Sequence, residues 1–246
     1  MAPSSIGIQL YTLRDQLAQD FGGTLDSLRD LGLQNVELAG QYGGLDAAGL
    51  RAALEQRGLS ARSAHLPLDP MEQDLVGQAN FLNTLGIRHA VYPWHKADTE
   101  AEWTALAGRL ERVAREVAEY GLSLSYHNHD HELTQTFSGR PVLDLLAEQA
   151  PSLTLELDVA WIHAGGQDPV DYLKRYADRT PLVHLKDVRR EGSGWRTVEL
   201  GAGEVDLPAV LAAVPDGALV FYEQDQSNGL ESVRESLAYL NALPGR

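Results

Sequence analysis

Two kinds of segment alternate along the chain. Short runs rich in Val, Ile, Leu, Tyr and His switch between apolar and polar neighbours with a period of two, as strands do. Between them lie longer stretches whose apolar residues recur every three or four positions, as on one face of a helix. The strand pattern falls at residues 6–12, 35–39, 60–66, 89–94, 122–128, 153–158, 182–186 and 218–224. The helical pattern falls at 17–31, 45–57, 72–85, 100–120, 142–147, 169–176, 207–214 and 230–241. The stretch 100–120 is the clearest, with Trp103, Leu106, Leu110, Val113 and Val117 in one stripe. Gly32, Gly58, Gly86 and Gly121 follow helical stretches, where terminating glycines belong. Asp98, Asp168 and Asp206 stand where N-caps belong, with Pro169 directly after Asp168. Eight strands and eight helices in strict alternation over 246 residues predict an α/β fold. The expectation is a (β/α)8 TIM barrel, one domain over 1–246, ahead of an open doubly wound sheet.

A barrel strand turns alternate residues inward, and the C-terminal strand ends form the active-site mouth. Polar groups at those ends are therefore the informative departures. The first strand carries Gln9, the second Glu37 and the third His65, and the fourth ends near Trp94 and His95. The fifth reads LSLSYHNHDH, with His127 and His129 on one face; the sixth, LTLELD, pairs Glu156 with Asp158. The seventh, LVHLKD, turns His184 and Lys186 inward, and the eighth, VFYEQD, does the same with Glu223 and Asp225. Each alone has an ordinary structural reading, as a hydrogen-bonded histidine or a solvated carboxylate. Gathered on four adjacent strands and buried without partners, they would cost on the order of several kcal/mol apiece. One divalent cation supplies the partner for all of them. The set His127, Asp158, His184 and Glu223 joins two imidazoles to two carboxylates. That mixture favours Mn²⁺, then Zn²⁺, Co²⁺ or Fe²⁺, over Ca²⁺ or an all-oxygen Mg²⁺ site. Spacing leaves open whether His127 or His129 is the strand-five ligand; the other then lies in the mouth.

Composition narrows the partners. Thirty-five acids against 20 bases give a net charge of −15, which argues against nucleic acid or an anionic membrane surface but not against a cation. The absence of Cys removes disulfides, thiolate nucleophiles and cysteine metal sites, and it fits a cytoplasmic protein. Residues 1–10 lack the basic and apolar regions of a signal peptide, and no run of 18 apolar residues spans a membrane. The expected partner is a small molecule; homo-oligomerisation is left open.

The runs IGIQLYTLRD, VELAG, YHNHD, LDVAWIHAGG, HLKD and YEQD, spread over nearly the whole chain, resemble the sugar phosphate isomerase/epimerase family. That family belongs to the xylose isomerase-like barrel superfamily, with ketose 3-epimerases, hydroxypyruvate isomerase, inosose dehydratase and endonuclease IV-type enzymes. The resemblance implies a divalent metal, often Mn²⁺, on strands five to eight, and it maps the ligands of strands six to eight onto Asp158, His184 and Glu223. Two departures matter. The epimerases carry a Glu on strand five where this chain has His127, which moves it toward the inosose-dehydratase-like and keto-sugar-processing branches. Endonuclease IV relatives carry Asp-x-x-His on strand six where this chain has Trp161, which argues against phosphodiester hydrolysis.

The implied chemistry is proton abstraction next to the carbonyl of a sugar or polyol, through an enediolate that the metal stabilises. Isomerisation or epimerisation is the leading expectation, with inosose-dehydratase-like or keto-glycoside β-elimination, or a non-catalytic sugar-binding barrel, as alternatives. An amidohydrolase is disfavoured, because its His-x-His belongs on strand one. Glu223 is the expected base, with Glu156, Lys186, His129 and Glu37 as candidates for the second proton transfer. Gln9, Glu37, His65, Trp94 and Trp161 are expected to contact substrate. Residues 189–203, with Trp195 and Gly201-Ala202-Gly203, are expected to shape a lid.

Overall fold

Strands of four to six residues form where the two-residue alternation is strongest. In a computed structural model that describes residues 6–243, eight of them close into a parallel barrel. They are β1 (Ile6–Gln9), β2 (Asn35–Leu38), β3 (Ser60–His65), β4 (His89–Tyr92), β5 (Ser123–His127), β6 (Thr154–Asp158), β7 (Leu182–Leu185) and β8 (Leu219–Tyr222). β8 pairs with β1 in parallel through Ile6↔Val220 and Ile8↔Tyr222, which closes the cylinder. Residues 1–5, part of the stretch expected to hold no leader, lie outside the described residues. The principal outer helices are α1 (Phe21–Asp30), α2 (Ala47–Glu55), α3 (Leu75–Leu85), α4 (Glu100–Ala118), α5 (Val142–Gln149), α6 (Pro169–Arg175), α7 (Leu207–Ala213) and α8 (Leu230–Ala242). No described helix is long and apolar enough to cross a membrane. Gly32, Gly58, Gly86 and Gly121 all take positive φ, as their positions after helical stretches require.

The main apolar core lies between barrel and helices; the stripe Trp103, Leu106, Leu110, Val113 and Val117 of α4 is buried in it. A separate small cluster of Val91, Leu182 and Phe221 comes from inward-facing strand positions. Gly7 makes room for it: a Cβ there would stand 2.6 Å from the Phe221 ring. The rest of the inward-facing surface is left to polar residues, and that is where the candidate site forms.

Several boundaries differ from the sequence expectation. The first strand ends at Gln9, whose side chain accepts from the Tyr11 N–H as the chain turns into a 3-10 segment, Leu10–Leu13. The helix expected over 17–31 is two, Arg14–Gln19 and α1, because Asp20 breaks off to cap the second by accepting from Gly23 N–H at 2.9 Å. Asp74 does the same between Leu68–Gln73 and α3, accepting from Gly77 N–H at 3.0 Å. Both are Asp-x-x-Gly, a capping signal that outweighs the apolar periodicity around it. Thr99, not Asp98, caps α4, since Thr99 and Glu102 satisfy each other's backbone in a capping box. Asp168 and Asp206 cap α6 and α7 as expected.

Residues 189–203, expected to shape a lid, take part in an antiparallel hairpin, Asp187–Glu191 with Gly194–Val198. The glycines after it wrap the Asp187 carboxylate, which accepts backbone N–H groups from Val188, Gly201, Gly203 and Val205 at 2.9–3.1 Å. A Cβ at Gly203 would lie 2.2 Å from Asp187 Oδ1, so only glycine fits. Asp187→Ala leaves those donors without an acceptor and should lower stability to denaturant by about 3 kcal/mol. A loss below about 0.5 kcal/mol would contradict the role of this clasp.

Candidate metal centre

β5 to β8 deliver His127, Asp158, His184 and Glu223 so that one donor atom from each lies within 4.8 Å of the others, all four side chains buried. The strand register explains the meeting: Asp158 sits beside His184, and Phe221, two residues before Glu223, sits beside His184 on its other side. Asp158 also caps the short helix Val159–Ala164, which the sequence pattern did not reveal. Its Oδ1 accepts from Ala160 and Trp161 N–H, each at 3.0 Å, leaving Oδ2 buried with no hydrogen bond.

A second polar group backs the first. Glu37 Oε1 lies 2.6 Å from His184 Nε2 and 3.1 Å from His65 Nε2, and Glu37 accepts from Gln9 Nε2 at 2.6 Å and from the Ser63 hydroxyl. Glu156 Oε2 lies 2.7 Å from His65 Nε2, 3.1 Å from His127 Nδ1 and 3.2 Å from His184 Nε2. A histidine that binds a metal through one nitrogen is commonly oriented by a carboxylate on the other. Glu37 supplies that arrangement for His184, leaving Nδ1, and Glu156 supplies it for His127, leaving Nε2. His65, His127, Glu156 and His184 form a second set of clustered donors that shares both imidazoles with the first.

The site opens onto a cavity of about 570 Å³. His65, His127, His129, Glu223 and Asp225 line its polar side, and Tyr11, Leu68, Tyr92 and Trp94 its apolar side. Of the residues expected to touch substrate, His65 and Trp94 lie in this wall. Gln9 and Glu37 are fully buried behind it, and so is Glu156. Trp161 is half-buried, stacked on His129 at 6.0 Å and facing Lys186. Trp195 packs instead on His163 and Arg190 of the hairpin. His127 joins both donor clusters; His129 joins neither and has a buried Nδ1 without a partner. Sequence reasoning passed over Ser63, although it shares the inward face of β3 with His65, and gave no role to Asp225 or the wall residues Tyr11 and Tyr92.

Electrostatics sort the groups. Burial, reinforced by the cations around it, keeps His127 neutral, well below the usual imidazole range, as a ligand nitrogen must be. Burial takes His129 down to about 4. Burial opposes charge on His65 and His184 as well, but surrounding carboxylates outweigh it. Glu37 and Glu156 raise His65 to about 10, and Glu156, Glu37 and Glu223 hold His184 well above its usual range. Asp158 is pushed up by burial to about 6 against the pull of Lys186. Glu223 is also desolvated, yet Lys186 and His184 hold it ionised, well below the usual carboxylate range. Two imidazoles, two carboxylates and an Asp158 oxygen that takes no hydrogen bond form a donor set that could hold a metal ion.

The chain matches the xylose isomerase-like TIM barrel family model over residues 25–243. It is 31% identical over 206 residues to an inosose dehydratase of Geobacillus kaustophilus, covering 73% of this chain but only 65% of that enzyme, just under two thirds of its length. Among solved structures, a sugar phosphate isomerase/epimerase from Parabacteroides distasonis superimposes with a TM-score of 0.84 at 22% identity, over 97% of this chain and 98% of that one. A probable 3-DHS dehydratase, AsbF, from Bacillus anthracis superimposes with a TM-score of 0.79 at 16% identity, over 96% and 98%. At such identities the two structures speak for the fold alone. The closed eight-stranded parallel barrel and the match over most of the sequence place this chain in the xylose isomerase-like TIM barrel family.

Proposed function

We propose that this protein is a metal-dependent enzyme that removes a proton next to the carbonyl of a keto sugar or keto polyol, and that the reaction ends in loss of water. The observation that carries the reading is the convergence of His127, Asp158, His184 and Glu223 beside a cavity large enough for such a substrate. Elimination is placed ahead of the isomerisation or epimerisation expected from sequence because the 31%-identical relative is an inosose dehydratase. Mn²⁺ is the leading metal by donor chemistry, with Zn²⁺, Co²⁺ and Fe²⁺ behind it.

His127, Asp158, His184 and Glu223 would hold the dication, which would supply Lewis-acid polarisation of the substrate carbonyl. The remaining work falls to the chain's own groups. Glu223 presents its carboxylate to the cavity as the base, and in the metal-free site Lys186 and His184 hold it ionised. His129, neutral and facing the same cavity, is placed for the second proton transfer. His65, held charged by Glu37 and Glu156, offers a cation to a substrate hydroxyl. Trp94, Tyr11 and Tyr92 supply apolar faces for a ring to lie against.

The test is NMR of an inosose with Mn²⁺-loaded protein in deuterated water. Loss of water with solvent exchange at the carbon next to the carbonyl is expected. An epimer or a shifted carbonyl would instead assign the isomerase outcome, and neither exchange nor product from any keto sugar or keto polyol would overturn the enzymatic reading. A second expectation concerns pH. His184 can offer Nδ1 to a metal only by giving up a proton that the surrounding carboxylates hold, so affinity for Mn²⁺ should rise with pH. Calorimetry in two buffers of unlike ionisation heat should read release of about one proton per metal. Affinity independent of pH would contradict this.

A further inference from the structure

Lys186 follows β7, two residues past His184, and is almost wholly buried. Its ammonium lies 3.0 Å from Asp158 Oδ2, 2.8 Å from Glu223 Oε2 and 2.9 Å from Asp225 Oδ2, with the Trp161 ring centroid 5.1 Å away. Two of those three carboxylates belong to the four-residue donor set. For Asp158 the overlap extends to a single atom. Oδ1 is committed to two backbone N–H groups, so Oδ2 is the oxygen left to offer, and Lys186 stands on it. Neither Asp158 Oδ2 nor Asp225 Oδ2 receives a directed hydrogen bond, so the ammonium is held there by charge and proximity.

We propose that Lys186 is a built-in competitor for the metal: a dication takes Asp158 and Glu223 only as the ammonium withdraws from them, and Asp225 is the carboxylate that receives it. The proposal rests on the metal reading above. A monocation and a dication sharing a carboxylate at these distances repel each other strongly, so both cannot keep the same contacts. Asp225 is suited to be the receiving group because it is outside the donor set and lines the cavity, with a side chain 24% exposed. Withdrawal would carry the ammonium toward the substrate's side of the site, so metal loading and presentation of a cation to substrate become one event.

Two substitutions have opposite expected signs. Lys186→Met removes the competitor while keeping an unbranched chain, and it leaves three carboxylates in mutual repulsion until a metal binds. Isothermal titration with Mn²⁺ should show tighter binding, by about tenfold. The melting temperature in EDTA should fall, and its rise on adding Mn²⁺ should exceed that of the parent. Asp225→Asn removes the receiving carboxylate, keeps Lys186 on Asp158 and Glu223, and should weaken Mn²⁺ binding by about fivefold or more. If Lys186 were only a structural support, Lys186→Met would weaken Mn²⁺ binding. Binding by Lys186→Met that is equal to or weaker than the parent, or unchanged binding by Asp225→Asn, overturns the proposal while leaving the metal reading intact. If Lys186→Met does not fold, Asp225→Asn decides alone. A parent protein that binds no Mn²⁺ overturns both.

Discussion

Replacing Glu223 by Gln should slow exchange of solvent deuterium into a bound keto polyol by about a thousandfold, measured by NMR at saturating Mn²⁺. Gln keeps the volume and one oxygen but cannot take a proton, so the loss reports on the base and not on packing. The amide also ends the charge pairing with Lys186 and His184, now 2.8 and 2.9 Å from Glu223 Oε2. Metal affinity should therefore fall as well, which is why the comparison is made at saturation. Full exchange with metal bound would remove Glu223 as the base and shift attention to His129, which faces the same cavity.

Asp158→Asn should lower Mn²⁺ affinity by more than about a hundredfold, beyond the range usual for residues that only orient a ligand. The substitution is nearly isosteric, and its Oδ1 can still accept from Ala160 and Trp161, so the helix Val159–Ala164 keeps its cap. What is lost is the second oxygen and the negative charge. An amide nitrogen there would also face the Lys186 ammonium across the present 3.0 Å contact. Glu37→Gln gives the graded comparison. It touches His184 only at Nε2, so it should weaken binding by about 10–100-fold through ring orientation. Titration calorimetry of the two variants separates ligand from support, and equal small losses would contradict the assignment of Asp158.

Much of this site was legible because a strand repeats every two residues. Parity alone put His127, Glu156, Asp158, His184, Lys186 and Glu223 on inward faces. What parity does not give is height within the barrel. Strands tilt and stagger as they close, so inward residues on different strands meet only where the register allows. Glu37 and Gln9 share the inward face with Glu223 yet lie behind the imidazoles, out of the cavity. Register also brings Glu156 within reach of three histidines, which no spacing within β6 could show. Asp158 hid a second duty, as a cap for a helix too short to leave a periodic signal. The hairpin after β7 and the gathering of backbone N–H groups on Asp187 were not legible in the sequence, because they depend on contacts between residues up to 18 positions apart. That carboxylate stands one position after Lys186, on the opposite face by parity, and the sequence gives no sign of the four backbone N–H groups it collects.

The direct test of four side chains converging on one dication is anomalous diffraction from crystals grown with Mn²⁺. The account predicts one strong peak, within about 2.0–2.3 Å of donor atoms from His127, Asp158, His184 and Glu223. A peak coordinated by His65 and Glu156 in place of Asp158 and Glu223, or no peak between β5 and β8 at saturating metal, would contradict it.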